Sequence, residues 1–336
     1  MATIGDVASE AGVSRSTVSA VLTGRKFVSP ETRARVEIAL DKLQFSVNAG
    51  ARALATSRTM TIGVVVRLHE AEFAPAMAAY LIGLADAARP RGYSILLLTD
   101  SDGVGACRRV IAGRQVDGLV LLNVVNDDPR LEPIVAAGFP TVLIGMPTDS
   151  RGVDAVDLDF AAGARILVDQ LSEAGHREVA FVRWPDSLFL SGATFAIRFA
   201  DAARARAAER GVRLVEHAVS TEPVEARQQL ASVVARDDSP KALLVHHDTA
   251  AAMLPFVLNE AGLRVPQDRS VVSLHSAELA QVFALDVTSV ASEPVAVAIA
   301  AVDLLVRRMG SPDSTAESRL VQPRLVNRGS VVSLES

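Results

Sequence analysis

The chain changes its hydrophobic period once, near residue 60. Before that point apolar residues recur every three or four positions. After it, short aliphatic runs alternate with longer amphipathic stretches. The first regime predicts helices. Val7, Ala8 and Ala11 form one face of an opening helix. Thr3 is its N-cap, and Asp6 stands three residues on, a capping-box spacing with the carboxylate in the first turn. Gly12 ends the helix, because glycine enters the left-handed conformation without a Cβ penalty. Ser14 caps a second helix from Arg15 to Leu22, whose Val18, Val21 and Leu22 face the first. Ser29-Pro30-Glu31 then gives an N-cap, a proline at the first helical position and an acid in the first turn. Val36, Leu40 and Leu43 follow at the spacing of a third helix that closes a small core.

The second regime predicts strands and helices in alternation. Aliphatic runs at 62–66, 94–98, 117–122, 141–145, 178–182, 241–245 and 270–274 read as buried strands, with helical stretches between them. Continuous aliphatic strands separated by amphipathic helices indicate an α/β class with parallel sheets covered on both faces. There are too many strands for one compact sheet. The stretch 73–91, ended by Gly92, reads as a helix; its Met77, Tyr80, Leu81 and Leu84 suit either a dimer face or core packing.

Two short helices joined by a tight turn make a helix-turn-helix, in which the second helix enters the DNA major groove. Such pairs also occur as plain core elements, so charge is worth consulting. The net charge of −5 is unevenly spread: residues 1–59 hold eight Lys/Arg and five Asp/Glu (+3), and the remaining 277 hold 26 against 34 (−8). A basic end on an acidic body suits a protein that presents one end to phosphate. Cys107 is the only cysteine, which excludes an intrachain disulfide or a thiolate metal cluster and fits a reducing compartment. The first twenty residues carry Asp6, Glu10 and Arg15 and no apolar core of a signal peptide, and no aliphatic run is long enough to span a membrane.

The stretches DVASEAGVSRSTVSAVL and VSPETRARVEIAL, then the segment through Asn48, Ala53 and Leu54, resemble the headpiece of lac-repressor-type (LacI/GalR family) transcription regulators. GHREVAFV (175–182), AGLRVPQDRSVVSL (261–274) and RLVNRGS (324–330) extend the resemblance to nearly the whole chain. It implies a helix-turn-helix DNA-binding domain over 1–45, a hinge-helix linker over 46–60 and a two-lobed effector-binding and dimerisation domain over 61–336. That body would have the type I periplasmic-binding-protein fold of two Rossmann-like lobes, one of about 61–157 and 291–320, the other of about 158–288 and 322–336. Crossovers are expected near 157–159, 286–291 and 320–323. Residues 48–55 would order as a hinge helix on the operator, with Leu54 as the leucine that wedges between base pairs; a tether that never folds is the other reading. Gly50 stands where the family usually has a larger apolar residue.

By match to the family motif, Arg15, Ser16 and Ala20 meet base edges together with Leu54. Arg15 offers a bidentate contact to guanine, and Ala20 only an apolar one where many relatives carry a longer polar or basic side chain. Thr3, Thr17, Ser19, Thr23, Arg25 and Lys26 are the expected phosphate contacts, which set register and carry no sequence information.

Ligands of open α/β sheets sit beyond the carboxyl ends of the strands. That position collects Arg67, His69, Phe73, Asp100, Asn123, Met146, Arg183, Trp184, His247, Asp248 and His275. Phe195 is counted among the effector-binding residues with them; sugar-binding relatives usually carry an arginine about where Phe195 stands and an aspartate about where His275 stands, so a neutral sugar loses support here. Arg183 or Arg198 are candidates to replace the arginine, and His69 and His246 read more readily as structural.

An enzyme is the first rival, yet no GxGxxG follows 62–66, and there is no P-loop, GxSxG or HExxH. His246-His247-Asp248 resembles a metal cluster, but neighbours on a strand end point in opposite directions. No cofactor and no metal are expected. A periplasmic transport receptor would need an export signal in place of the helix-turn-helix. The reading is a cytoplasmic, nucleoid-associated regulator, a repressor that binds a pseudo-palindromic double-stranded operator as a homodimer. Its operator affinity would be modulated by a small-molecule effector, sugar-like or another small metabolite. The alternative is a ligand-independent DNA-binding protein with a degenerate pocket.

Overall fold

A computed structural model describes residues 2–23, 27–43, 45, 56, 58–66, 74–235, 239–282 and 286–334. The expected hinge 48–55 with Leu54 lies outside the described residues, as do Arg25, Lys26, Arg67, His69 and Phe73. By its internal contacts the chain divides into two units, residues 1–61 with 114–117, and residues 62–113 with 118–336.

The first unit is built on α1 (Ile4–Ala11), α2 (Arg15–Thr23) and α3 (Pro30–Lys42). The capping box is formed: the Thr3 N–H donates to Asp6 Oδ2 at 2.8 Å, and the Asp6 N–H donates to Thr3 Oγ1 at 3.3 Å. Gly12 takes the left-handed conformation at φ 65° and returns its N–H to the last carbonyls of α1. Ser14 caps α2 by accepting from the Thr17 N–H at 3.1 Å, and Ser29 caps α3 through Thr32 at 3.3 Å. Val7, Val18 and Val36, one from each helix, are fully buried, and Ala8, Ala11, Val21 and Ala39 complete the core. The Lys42–Glu10 ion pair at 2.6 Å is solvent-exposed and contributes little beside that core.

The second unit holds two six-stranded sheets. The first comprises β1 (Thr61–Val65), β2 (Ser94–Leu98), β3 (Gly118–Leu121), β4 (Thr141–Ile144), β5 (Asp154–Leu158) and β11 (Ser318–Val321), in the order β11-β5-β4-β3-β1-β2. The second comprises β6 (Glu178–Arg183), β7 (Arg213–Ala218), β8 (Ala242–His246), β9 (Ser270–His275), β10 (Thr288–Ala291) and β12 (Arg324–Val326), in the order β12-β10-β9-β8-β6-β7. The second sheet is parallel except for the β10–β12 pair. The chain passes between sheets three times, between Leu158 and Phe160, between Ala291 and Pro294, and between Val321 and Arg324. Parallel strands joined by helical crossovers are the Rossmann-like arrangement, here in duplicate.

Both faces of the second sheet are covered. The helices Phe160–Glu173 and Thr194–Glu209 pack on one face around Phe181, Phe199 and Leu167, and Pro223–Val234 and Asp248–Glu260 cover the other around Leu243 and Leu254. In the first lobe the helices Ala74–Ala88 and Pro294–Gly310 lie against one another. Their contact is close enough that a Cβ on Gly83 would stand 3.0 Å from Ala298 Cβ. Strands β5, β7, β10, β11 and β12 were not among the aliphatic runs of the sequence. They interleave Asp, Glu, Arg and Ser with apolar residues, as short or edge strands do. Among the described residues, no helix is long and apolar enough to cross a membrane.

Candidate functional site

Two places in the molecule gather the candidate contact residues. The first is the outward side of α2. Arg15 and Ser16 are exposed, and Thr17, Ser19 and Ala20 are half-buried. Val18 and Val21 turn into the core and fix the helix by its other side. The Arg15 guanidinium lies across Gly5 of α1, where a Cβ would meet its Nη2 at 2.8 Å, and close enough to Asp6 to help hold that carboxyl below its usual range. The capping hydrogen bonds of Thr3 are the larger cause of that lowering. The hydroxyls of Ser14, Ser16 and Thr17 form a short chain, 2.7 and 2.8 Å apart. Thr3 faces Asp6 with its side chain, so its hydroxyl already serves the cap.

The second place is a cavity of about 120 Å³ where the two lobes of the body face each other. Its lining comes from loops and helix starts after parallel strands. Leu122, Asn123 and Val124 follow β3, Ile144 and Gly145 end β4, and Trp184 follows β6. Phe160, Phe195 and Asp248 open their helices, Asp157 lies in β5, and His246 ends β8. Met77 and Tyr80 reach it from the Ala74–Ala88 helix. Gly145 is obligatory at this wall: its φ is 139°, and a Cβ would stand 2.6 Å from Val124 Cβ.

Aromatic rings make most of the second-lobe wall. Trp184 meets Phe195 edge-on at 5.4 Å, Phe160 meets Phe195 at 5.9 Å, and His246 stacks on Phe199 at 3.9 Å. His247 stacks flat on Trp184 at 4.3 Å. His247 Nδ1 accepts from the Ala250 N–H at 3.2 Å, so its Nε2 carries the proton and donates to the Val219 carbonyl at 3.1 Å. Burial pushes His246 down to about 3 and His247 down to about 4, so both rings are neutral. The adjacent pair therefore diverges, one ring to the cavity and one beneath the tryptophan. Among the described residues, no group of three or more His, Cys, Asp or Glu could hold a metal ion.

The charged groups of the cavity are acidic. Asp157 accepts from Arg198 Nη1 at 2.7 Å and from the Leu158 N–H at 2.9 Å, yet burial outweighs Arg198 and carries its carboxyl up to about 7. Burial alone carries Asp248 up to about 7. Buried beside both carboxylates, the Tyr80 hydroxyl stays protonated. The Trp184 indole N–H is buried and has no hydrogen-bond partner among the described residues.

Of the residues expected here, Asn123, Trp184, Phe195 and Asp248 line the cavity together. Asp100 does not: it is exposed on the loop after β2 and paired with Arg109 at 2.6 Å. Met146 is half-buried next to Gly145 and outside the lining, and His275 is buried with no partner among the described residues for either ring nitrogen. Arg183 is turned to Glu216 and Asp186, away from the role of a free arginine. Tyr80, Met77, Asp157, Phe160 and Thr194 are among the lining residues that sequence reasoning missed, and His246, read there as structural, lines the cavity as well. Tyr80 and Met77 were candidates for a dimer face, but this side of their helix turns to the cavity, and Leu84 is fully buried. A carboxylate at an inward position of an otherwise aliphatic strand, as in VDLD, was the available sign of Asp157.

Residues 3–48 match the profile of bacterial regulatory proteins of the lacI family, and residues 168–331 match that of a periplasmic binding protein-like domain. Over 283 residues the chain is 33% identical to the HTH-type transcriptional regulator CelR of Thermobifida fusca, covering 82% of each chain. The chain belongs to the lacI family of bacterial regulatory proteins. Its lacI-family relatives include the HTH-type transcriptional repressor PurR of Edwardsiella ictaluri, 29% identical over 98% of this chain and 97% of that one. Among solved structures, the lac repressor dimer bound to operator and the anti-inducer ONPF superposes with a TM-score of 0.81 over 98% of this chain and 99% of that one, at 24% identity. The lacI-family chain is thus a DNA-binding regulator of transcription, with the family's headpiece and two-lobed body.

Proposed function

We infer that this regulator is a repressor. It binds a pseudo-palindromic operator as a homodimer, and its grip is set by a small molecule bound between the lobes of the body. The observation that carries the reading is the cavity itself. It keeps an indole N–H unpartnered among the described residues and a half-buried Asp248 carboxyl in a setting where both are costly. A pocket with no ligand to serve would be better filled by apolar side chains, so the ligand-independent alternative is disfavoured.

Arg15 and Ser16 read base edges from the exposed side of α2, with Ala20 beside them, while Thr17 and Ser19 stand toward the phosphates. Dimerisation is supported by an apolar surface on the first lobe: Ile82, Val295 and Ile299 are exposed on the two paired helices. Two linked headpieces reading two half-sites raise affinity through effective concentration. Effector binding closes the lobes, and closure biases the ordering of residues 48–55 on the operator.

Selection of operators from random duplex DNA, repeated with a panel of small metabolites, tests this reading. It expects a twofold-symmetric motif whose recovery changes with some metabolites. Recovery of a single asymmetric half-site, indifferent to every metabolite, overturns it.

A further inference from the structure

We propose that the cavity selects a small organic cation that also carries a hydroxyl or carbonyl acceptor, its ammonium group facing Asp248 and its acceptor meeting the Trp184 indole. This rests on the reading of the cavity as the effector site and narrows the chemistry of that effector. Three observations converge on it.

The first is charge. Asp157 and Asp248 line the cavity, and among the described residues no lysine or arginine does. Asp157 already holds Arg198. Asp248 has neither a hydrogen bond nor an ion pair to any described residue, and burial is the sole cause of its raised pKa. An incoming anion would meet the ionised carboxyl uncompensated, and a neutral polyol would leave that ionised form without a counter-charge. A cation removes the imbalance.

The second is the aromatic wall. Trp184 and Phe195 stand at 87° to one another, and Phe160 and Phe195 at 48°, so the rings present surfaces in several orientations around one space. Ring faces carry negative electrostatic potential and attract ammonium groups, tryptophan most strongly. Acidic residues and aromatic faces favour the same sign of ligand.

The third is the orphaned donor. Trp184 is 5% exposed, lines the cavity, and has an indole N–H without a partner among the described residues. An indole donates only, so the ligand must accept there. At about 120 Å³ the cavity is of the order of the roughly 150 Å³ that admits a benzene ring, the scale of a small metabolite.

Pairs matched in shape and differing in charge decide the matter. Choline is compared with its carbon isostere 3,3-dimethylbutan-1-ol, and glucosamine with glucose, on the full-length protein. Binding is read by fluorescence of Trp184, the chain's one tryptophan, and operator affinity is read in parallel. We expect the cation of at least one pair to bind about tenfold or more tighter than its neutral partner. Asp248→Asn should bring that ratio to within about threefold, and Asp248→Ser serves as a second variant if the first does not fold. Neutral members binding as tightly as the cations, or no response of Trp184 to any cation, overturns the proposal. Should glucose bind and shift operator affinity, cation selectivity fails and effector control survives. If a cation binds selectively while operator affinity stays fixed, selectivity survives and effector control fails.

Discussion

The Arg15 guanidinium rests on the bare Cα of Gly5, close enough to Asp6 to act on its charge, and base reading is the role proposed for it. Its loss should be felt in discrimination. Arg15→Ala is expected to cost roughly 1–3 kcal/mol of preference at one base pair, measured as operator against single-base variants; equal losses on operator and random DNA would count against base reading. Two glycines give opposite expectations for the same change. At Gly5 an added Cβ meets only the far end of a flexible side chain in a helix, so Gly5→Ala should leave thermal stability unchanged or raise it by up to about 1 kcal/mol. At Gly145 the φ of 139° and the Val124 Cβ at 2.6 Å are both backbone-fixed, and Gly145→Ala should cost about 3 kcal/mol in denaturant unfolding. Asp248 gives a pH signature. Its folded pKa of about 7 lies above the unfolded value of about 3.9, so the native state favours the protonated form and loses stability as pH rises through 7. Asp248→Asn cannot ionise. Its Tm should exceed that of the parent above pH 7, by roughly 2–4 °C for each kcal/mol recovered, and the gap should close toward pH 4. A constant gap across that range would place the carboxyl's pKa at its ordinary value.

Local signals serve local elements. The three headpiece helices were readable from Thr3, Gly12, Ser14 and Ser29-Pro30, because caps and stops act within one turn. The central strands of the body were readable from their aliphatic runs. Strands β5, β7, β10, β11 and β12 were not, because their places in the sheets are fixed by neighbours distant in sequence, such as the pairing of Ser318–Val321 with Ala155–Leu158. The cavity was half-readable for the same reason. Asn123, Trp184 and Asp248 follow strands directly, and position after a parallel strand is a rule that sequence can apply. Tyr80 comes from the middle of a helix and Asp157 from the interior of a strand. Only the approach of the two lobes brings them opposite Trp184. Asp100 obeyed the rule of position and still fell outside, held at the surface by Arg109.

In the whole molecule, a lacI-family DNA-binding headpiece and a ligand-sized cavity occur in one chain, and the exposed apolar residues of the first lobe offer a surface for the proposed dimer. Ile82→Asp combined with Ile299→Asp should convert the dimer to a monomer in analytical ultracentrifugation and weaken operator binding by about 10²-fold, through loss of the second linked contact; an unchanged sedimentation coefficient would move the interface elsewhere. Linkage then requires that a ligand favouring one lobe arrangement alter DNA affinity, and that DNA alter ligand affinity by the same factor. Fluorescence anisotropy of the selected operator and of a random duplex, titrated with full-length protein with and without a ligand that shifts Trp184 emission, tests the account as a whole. The expected result is at least about 10³-fold preference for operator and a ligand-induced change of about fivefold or more in operator affinity. Equal binding to both duplexes, or operator affinity indifferent to a saturating ligand in the cavity, would contradict it.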